Sequence, residues 1–247
     1  MTSAPVVSFS LAGQAAWAPG IDTPAAWRAW ADAPFFIEPS CEPALRAMPA
    51  MLRRRAGFLG KMALEVAYQC LDGRTNVPMV FCSRHGDVAR AVDLLTDLAQ
   101  DVALSPTGFG LAVHNASAGL FSIARSDQAN HLALAAGAST IEHAVIEACS
   151  LLADGAESVL LVAYENKLPP VFTQFEDCAE QPHAWAWLMV RAGTDPIHLS
   201  WTMSDDSPTP ATDALPGGLA LLRFLLRREP ALERVANRRR WRWTRDG

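Results

Sequence analysis

The sequence predicts a layered α/β fold, a sheet with flanking helices, and three segments carry that expectation. The run SVLLVAYE (158–165) is continuously apolar, the character of a strand buried on both faces of a sheet. From Phe58 to Leu71, apolar residues fall at 58, 59, 62, 63, 66, 67, 70 and 71, a helical period with one wide apolar face. Residues 139–153 repeat that pattern through Ile141, Ala144, Val145, Ala148, Leu151 and Leu152, and Gly155 stands where a helix should stop.

The remaining elements follow in chain order. PVVSFSLA (5–12) is a strand-like opening, and Thr23-Pro24 is a helix start with proline at the first helical position, followed by Trp27 and Trp30. VPMVFC (77–82) predicts a short buried strand, and Val88, Val92, Leu95 and Leu98 predict a helix over about 87–100. Turn chemistry at Ser105-Pro106 opens a stretch of apolar and small residues around His114-Asn115. Small side chains at Ala116, Ser117, Ala118 and Gly119 permit close backbone packing. HLALAA (131–136), AWAWLMV (184–190) and IHLSWTM (197–203) are strand-like, and we expect both 131–136 and 158–165 inside the sheet. After Asp205, SPTPATDALPGG is a linker, then come an amphipathic helix (218–228) and an Arg/Trp-rich tail. The expected organisation is a domain over 1–204 and a C-terminal extension over 205–247.

A chain of 247 residues that is half apolar supports a sizeable core and excludes global disorder. No apolar run approaches the roughly eighteen residues of a membrane span, and the opening MTSAPVVSFSLAG lacks the basic region of a signal peptide. Five scattered cysteines (Cys41, Cys70, Cys82, Cys149, Cys178) form no CxxC or Cys/His cluster, so free thiols, no metal site and a cytoplasmic location are expected. The net charge of −5 is uneven: from Arg223 onward nine arginines face Glu229, Glu233 and Asp246, a local +6, and the rest carries −11. That tail is either a docking surface for an anionic partner or a solvated helix face with a tail. It has no nucleic-acid-binding motif, so nucleic acid is not an expected partner.

Among polar residues, His114 with Asn115 stands in an apolar block and must find partners. It either locks a loop at a subunit interface, takes a catalytic role, or lines a partner's tunnel. His85, between Arg84 and Gly86, caps a turn, and Glu142 and His143 face solvent on their helix. Trp185, Trp187, Trp201, Trp241 and Trp243 alternate at strand spacing, which predicts core or interface packing, with a ligand-stacking platform as the alternative. No glycine-rich phosphate loop is present, and no cofactor is expected.

The order SPTGFGLAVHNASAG, HLALAA, the turn GAS, the helix TIEHAVIEACSLLADG and AESVLLVAYE resembles the N-terminal half of β-ketoacyl synthases. The turn Cys82-Ser83-Arg84-His85-Gly86 and the block Ser105 to Gly119 resemble the short ketosynthase-like or chain-length-factor subunits of aryl polyene and related pathways. The resemblance implies a thiolase-like half fold over residues 5 to 204. It puts Ala138 where the family has its nucleophilic cysteine, and an alanine forms no acyl thioester. The HGTGT-like and GFGGHN-like histidine motifs of the family's second half do not occur.

The function this implies is a non-catalytic subunit that pairs with a complete ketosynthase, or with itself, during polyene, polyketide or fatty-acid-like chain elongation. Expected interface or tunnel residues are Phe109, His114, Asn115, Ala116, Ala118 and Gly119. Arg238, Arg239 and Arg240 are the expected carrier-docking residues, for an acyl carrier protein. The alternatives are a thioesterase or acyltransferase using Ser139 or Ser117 with His114, and a carrier-docking scaffold.

Overall fold

The computed structural model describes residues 5–206 and 214–246. The expected linker falls largely on 207–213, outside the described residues. The elements are β1 (Val6–Trp17), α1 (Pro24–Asp32), α2 (Ala50–Arg53), α3 (Phe58–Leu71), β2 (Met79–Cys82), α4 (Val88–Ala99), α5 (Pro106–Ala112), α6 (Ala116–Arg125), β3 (His131–Leu134), α7 (Thr140–Ala153), β4 (Val159–Glu165), β5 (His183–Arg191), β6 (Ile197–Met203), α8 (Gly217–Arg227), β7 (Ala231–Ala236) and β8 (Arg239–Arg245). A 3₁₀ turn, Gly137–Ser139, joins β3 to α7, and a second lies at Pro170–Phe175.

The strands form one sheet in the order β3-β2-β4-β5-β1-β6-β8-β7. β2, β3 and β4 are parallel, and the other pairings are antiparallel. All seven residues of β4 are buried, as a strand covered on both faces requires. On one face Trp185, Trp187, Trp241 and Trp243 pack with α1, α7 and α8. On the other, Phe81, Val162, Tyr164 and Leu188 pack with α3 and α6. This is the expected helix–sheet–helix layering.

Local signals account for the helix ends. The Thr23 hydroxyl accepts from Ala26 N–H at 3.2 Å ahead of the proline that opens α1. After α7, Gly155 takes φ +113°, and Ala156 N–H donates back to Leu151 O at 3.1 Å.

Two expectations are corrected. The strand at 131–134 is in the sheet but at its edge, with one neighbour, β2. The C-terminal segment is not an extension beyond a boundary at 204. α8 closes the same core as α7, and β7 and β8 form a hairpin paired to β6. In RRWRWTR the tryptophans point inward, while Arg240 and Arg242 point to solvent. Asn237 and Arg238 both take positive φ (51° and 59°), the requirement of a type I′ hairpin turn.

Candidate functional site

Ala138 lies in the tight turn between β3 and α7, with its carbonyl accepting from Arg234 Nη2 at 3.1 Å. The next residue, Ser139, is fully buried, and its hydroxyl donates to Ala136 O at 3.2 Å while accepting from Asn237 Nδ2 at 2.8 Å. His143 Nδ1 is 3.1 Å from that hydroxyl but 2.9 Å from Ser139 O. A carbonyl only accepts, so Nδ1 carries the proton and cannot take one from Ser139. This buried serine is therefore not an activated nucleophile.

Glu142 and His143 do not face solvent as expected. Glu142 is wholly buried and ion-paired with Arg234 on β7, and His143 packs edge-on against Trp241. The C-terminal hairpin, unseen as a strand pair in the sequence, covers that side of α7.

A cavity of about 500 Å³ opens beside the turn. Its apolar wall includes Ala138, Ile141, Leu215, Leu232 and Val235, and its polar end holds Arg84, Glu165, Asp177, Cys178 and Glu180. Arg84 sits inside that acidic group: Nη1 and Nη2 donate to the two oxygens of Asp177, each at 2.9 Å, and Nη1 to Glu180 Oε1 at 3.1 Å. Asp177, Cys178 and Glu180 offer a metal ion three ligand atoms, but the guanidinium already occupies their focus. Glu165 accepts from Arg84 N–H at 2.6 Å and from the Ser83 hydroxyl at 3.1 Å. Burial, reinforced by the nearby Glu180 charge, nevertheless pushes its carboxyl up to about 8. Burial likewise pushes the Cys178 thiol up to about 12, so it is no thiolate.

The sequence model of the β-ketoacyl synthase N-terminal domain matches residues 27–244. The chain belongs to the β-ketoacyl synthase N-terminal domain family. A search of curated proteins finds no match. Among solved structures, the chain is similar to one from the complex of the ketosynthase ApeO with its chain length factor ApeC from Xenorhabdus doucetiae. They share 25% identity at a TM-score of 0.84, covering 96% of this chain and 99% of that one. The ishigamide ketosynthase/chain length factor matches at 16% identity and TM-score 0.62, over 81% and 69% of the two chains. A chain of AntDE:AntF, a type II polyketide ketosynthase with its acyl-carrier protein, matches at 11% and 0.72, over 96% and 98%.

In this ketosynthase-family chain the two motifs of the resemblance meet. Gly86 (φ +66°) lies against the His114 ring, whose Nδ1 would be 2.8 Å from a Cβ placed there. His114 Nε2–H donates to Leu134 O at 3.2 Å, tying the start of α6 to the end of β3. Ser117 turns instead toward Tyr164 and Gly60, so no Ser117–His114 pair forms among the described residues.

The other expected interface residues divide. Phe109 and Asn115 are exposed, Ala116 and Gly119 half-buried, and a Cβ at Gly119 would meet nothing within 4 Å. Ala118 is wholly buried in this chain's own core, so it is not a surface contact. What the sequence reading missed is a row of exposed apolar side chains around the β3 edge: Leu95, Leu98, Phe109, Val113, Ile123 and Leu132. Leu95 and Leu98 lie on the predicted helix, but whether its apolar face is covered is a tertiary fact.

The expected carrier-docking arginines are not one patch. Arg238 is in the turn, Arg239 lies over the Trp241 ring, and Arg240 pairs with Asp206 at 2.6 Å and Glu233 at 3.5 Å. A second surface gathers Arg46, Arg53, Arg54 and Lys61 around α2, with Lys61 paired to Glu42 at 2.5 Å and Met51 exposed beside them, a net basic group. Among the described residues, Arg46 and Arg54 form no ion pair. The clue in the sequence was the run Arg53-Arg54-Arg55.

One serine–histidine–carboxylate row exists elsewhere: Ser8 Oγ to His198 Nδ1 at 2.7 Å and His198 Nε2 to Asp246 Oδ2 at 3.3 Å. Ser8 and His198 face each other across the β1–β6 ladder, not at a turn whose free N–H groups would hold an oxyanion. Among the described residues, no helix is long and apolar enough to cross a membrane.

Proposed function

We propose that this chain is a non-catalytic, chain-length-factor-type subunit that pairs with a complete β-ketoacyl synthase in polyene or polyketide chain elongation. The observation that carries this reading is Ala138 in the turn before α7, the position that the sequence resemblance gives to the family's nucleophile, beside a sheet edge that pairs with no further strand among the described residues. A side chain without a nucleophilic atom cannot hold an acyl group, and the neighbouring Ser139 has its proton committed to a carbonyl. The similarity to a chain from a ketosynthase–chain length factor complex supports the pairing.

The exposed apolar row along α4, α5, α6 and β3 is the proposed contact, with β3 adding to the partner's sheet by strand pairing. Phe109, Asn115, Ala116 and Gly119 belong to that face, and His114 fixes its shape. A two-fold homodimer through the same edge is the form proposed without a ketosynthase. A cytoplasmic location and docking of an acidic acyl carrier on Arg238–Arg240 or on the α2 surface complete the proposal.

The test is co-expression with a complete ketosynthase followed by sedimentation. A stable complex is expected, and a chain that stays monomeric alone and with every ketosynthase offered would overturn the reading. Acyl-thioester trapping on the isolated chain should leave no label, whereas a labelled serine would favour an independent acyl-processing enzyme.

A further inference from the structure

The sheet has a second open edge, inside its strand order. β5 pairs with β1 from Phe9 to Trp17, but β6, on the other side of β1, pairs only with Val6–Phe9. From Leu11 to Ala16 that side of β1 therefore faces no strand. Alternate residues of an antiparallel strand direct their N–H and C=O groups away from the paired neighbour. Here those outward groups have no backbone partner among the described residues. Ala12, the extra residue of a bulge, and Gln14 are exposed, and Leu11, Gly13, Ala15 and Ala16 are half-buried, so a second molecule can reach them.

A cavity of about 290 Å³ lies against Leu11–Gln14, and its charged groups are Asp195, Arg228 and Arg245. Arg245 pairs with Ile197 and Ile197 with Phe9, so these groups stand at the Phe9 end of the open edge. Asp195 bridges Arg245 and Arg228, the latter at 3.1 Å, and Arg245 Nη1 also donates to Leu225 O at 3.2 Å. One carboxylate between two guanidinium groups leaves a net +1. The Arg228 side chain is 69% exposed, which keeps its remaining N–H groups available to an anion.

The ladder also fixes direction. A strand added beside Leu11–Ala16 lies on the line of β6, and β6 already fills the place beside Phe9. The added strand must end there. Antiparallel to β1, it ends with its carboxyl terminus at Arg228; parallel, it would bring an ammonium group to a positive surface. We propose that this edge docks the extended carboxyl-terminal segment of a partner polypeptide, held by strand pairing and by its terminal carboxylate on Arg228. The site is four strands, or about 19 Å, from β3, so the inference stands apart from the ketosynthase contact.

The full chain is screened against random hexapeptides with free carboxyl ends, and the tightest is measured by fluorescence anisotropy. Saturable binding is expected, weakened at least about tenfold by amidation of the carboxyl end. Backbone N-methylation at alternate residues, which removes the ladder donors, should also weaken it. Arg228→Gln should lower the acid to the affinity of the amide while leaving the amide unchanged, a pattern that misfolding would not give. Should that variant not fold, the acid–amide difference on the parent chain stands as the test. Hydrogen exchange at residues 11–16 should slow when the acid is bound. No saturable hexapeptide, an amide as tight as the acid, or protection at β3 instead of β1 would each overturn the proposal.

Discussion

Glu142 on α7 and Arg234 on β7 form an ion pair in which the glutamate side chain is wholly buried. It joins the turn at Ala138, whose carbonyl accepts from the same guanidinium, to the C-terminal hairpin. Removing one partner strands a buried charge, so Arg234→Met should destabilise the chain by about 3–5 kcal/mol. The double variant Arg234→Met with Glu142→Leu should recover most of that loss in denaturant unfolding. An additive double variant would mean that the two residues do not act as a pair.

Glu165 sets a pH dependence. Its folded carboxyl titrates at about 8, above the unfolded value near 4.5, so the folded state binds the extra proton in between. Stability from this group is therefore fully present below about pH 4.5 and lost as pH rises through 8. The slope is at most about 1.4 kcal/mol per pH unit. Glu165→Gln imitates the neutral form, because the Ser83 hydroxyl can accept from the new amide. Unfolding free energies between pH 5 and 8 should fall for the parent relative to this variant, and parallel curves would remove Glu165 as the cause.

Gly119→Leu should leave the isolated chain folded, since nothing lies within 4 Å of the added Cβ. On the proposed interface it should weaken association with a ketosynthase by at least about tenfold, or 1.4 kcal/mol. Circular dichroism and sedimentation of the same sample separate the two effects. Unchanged assembly would move the contact elsewhere.

Ala138→Cys should give no condensing activity in the isolated chain. The restored thiol would still lack the histidines that the family supplies from its second half for decarboxylation and proton transfer. Turnover by the purified variant, measured with carrier-bound substrates, would show that the reacting groups had been misplaced.

Replacing Arg53, Arg54 and Arg55 by glutamine should weaken carrier binding at low salt and change little at high salt. The same change at Arg238, Arg239 and Arg240 should have the smaller effect, because Arg240 is already paired with Asp206 and Glu233. Titrations with an acidic acyl carrier at two ionic strengths decide the order.

What the sequence determined by itself is what depends on neighbours along the chain. Helical period placed α3 at Phe58–Leu71, continuous apolarity marked β4, and the order of motifs pointed to Ala138 in the turn before α7. What only the tertiary structure decided is what depends on residues far apart in the chain. Glu142 looked solvent-facing because its cover, β7 with Arg234, lies 92 positions later. RRWRWTR looked like a charged tail because arginine dominates its composition, although its tryptophans alternate. Pairing with β6 turned that alternation into two buried rings. β3 became an edge, and Leu132 and Ile123 became exposed, because among the described residues no other strand of this sheet lies beyond it. Burial is a property of the packed whole, and a local pattern shows which face seeks cover but not what covers it.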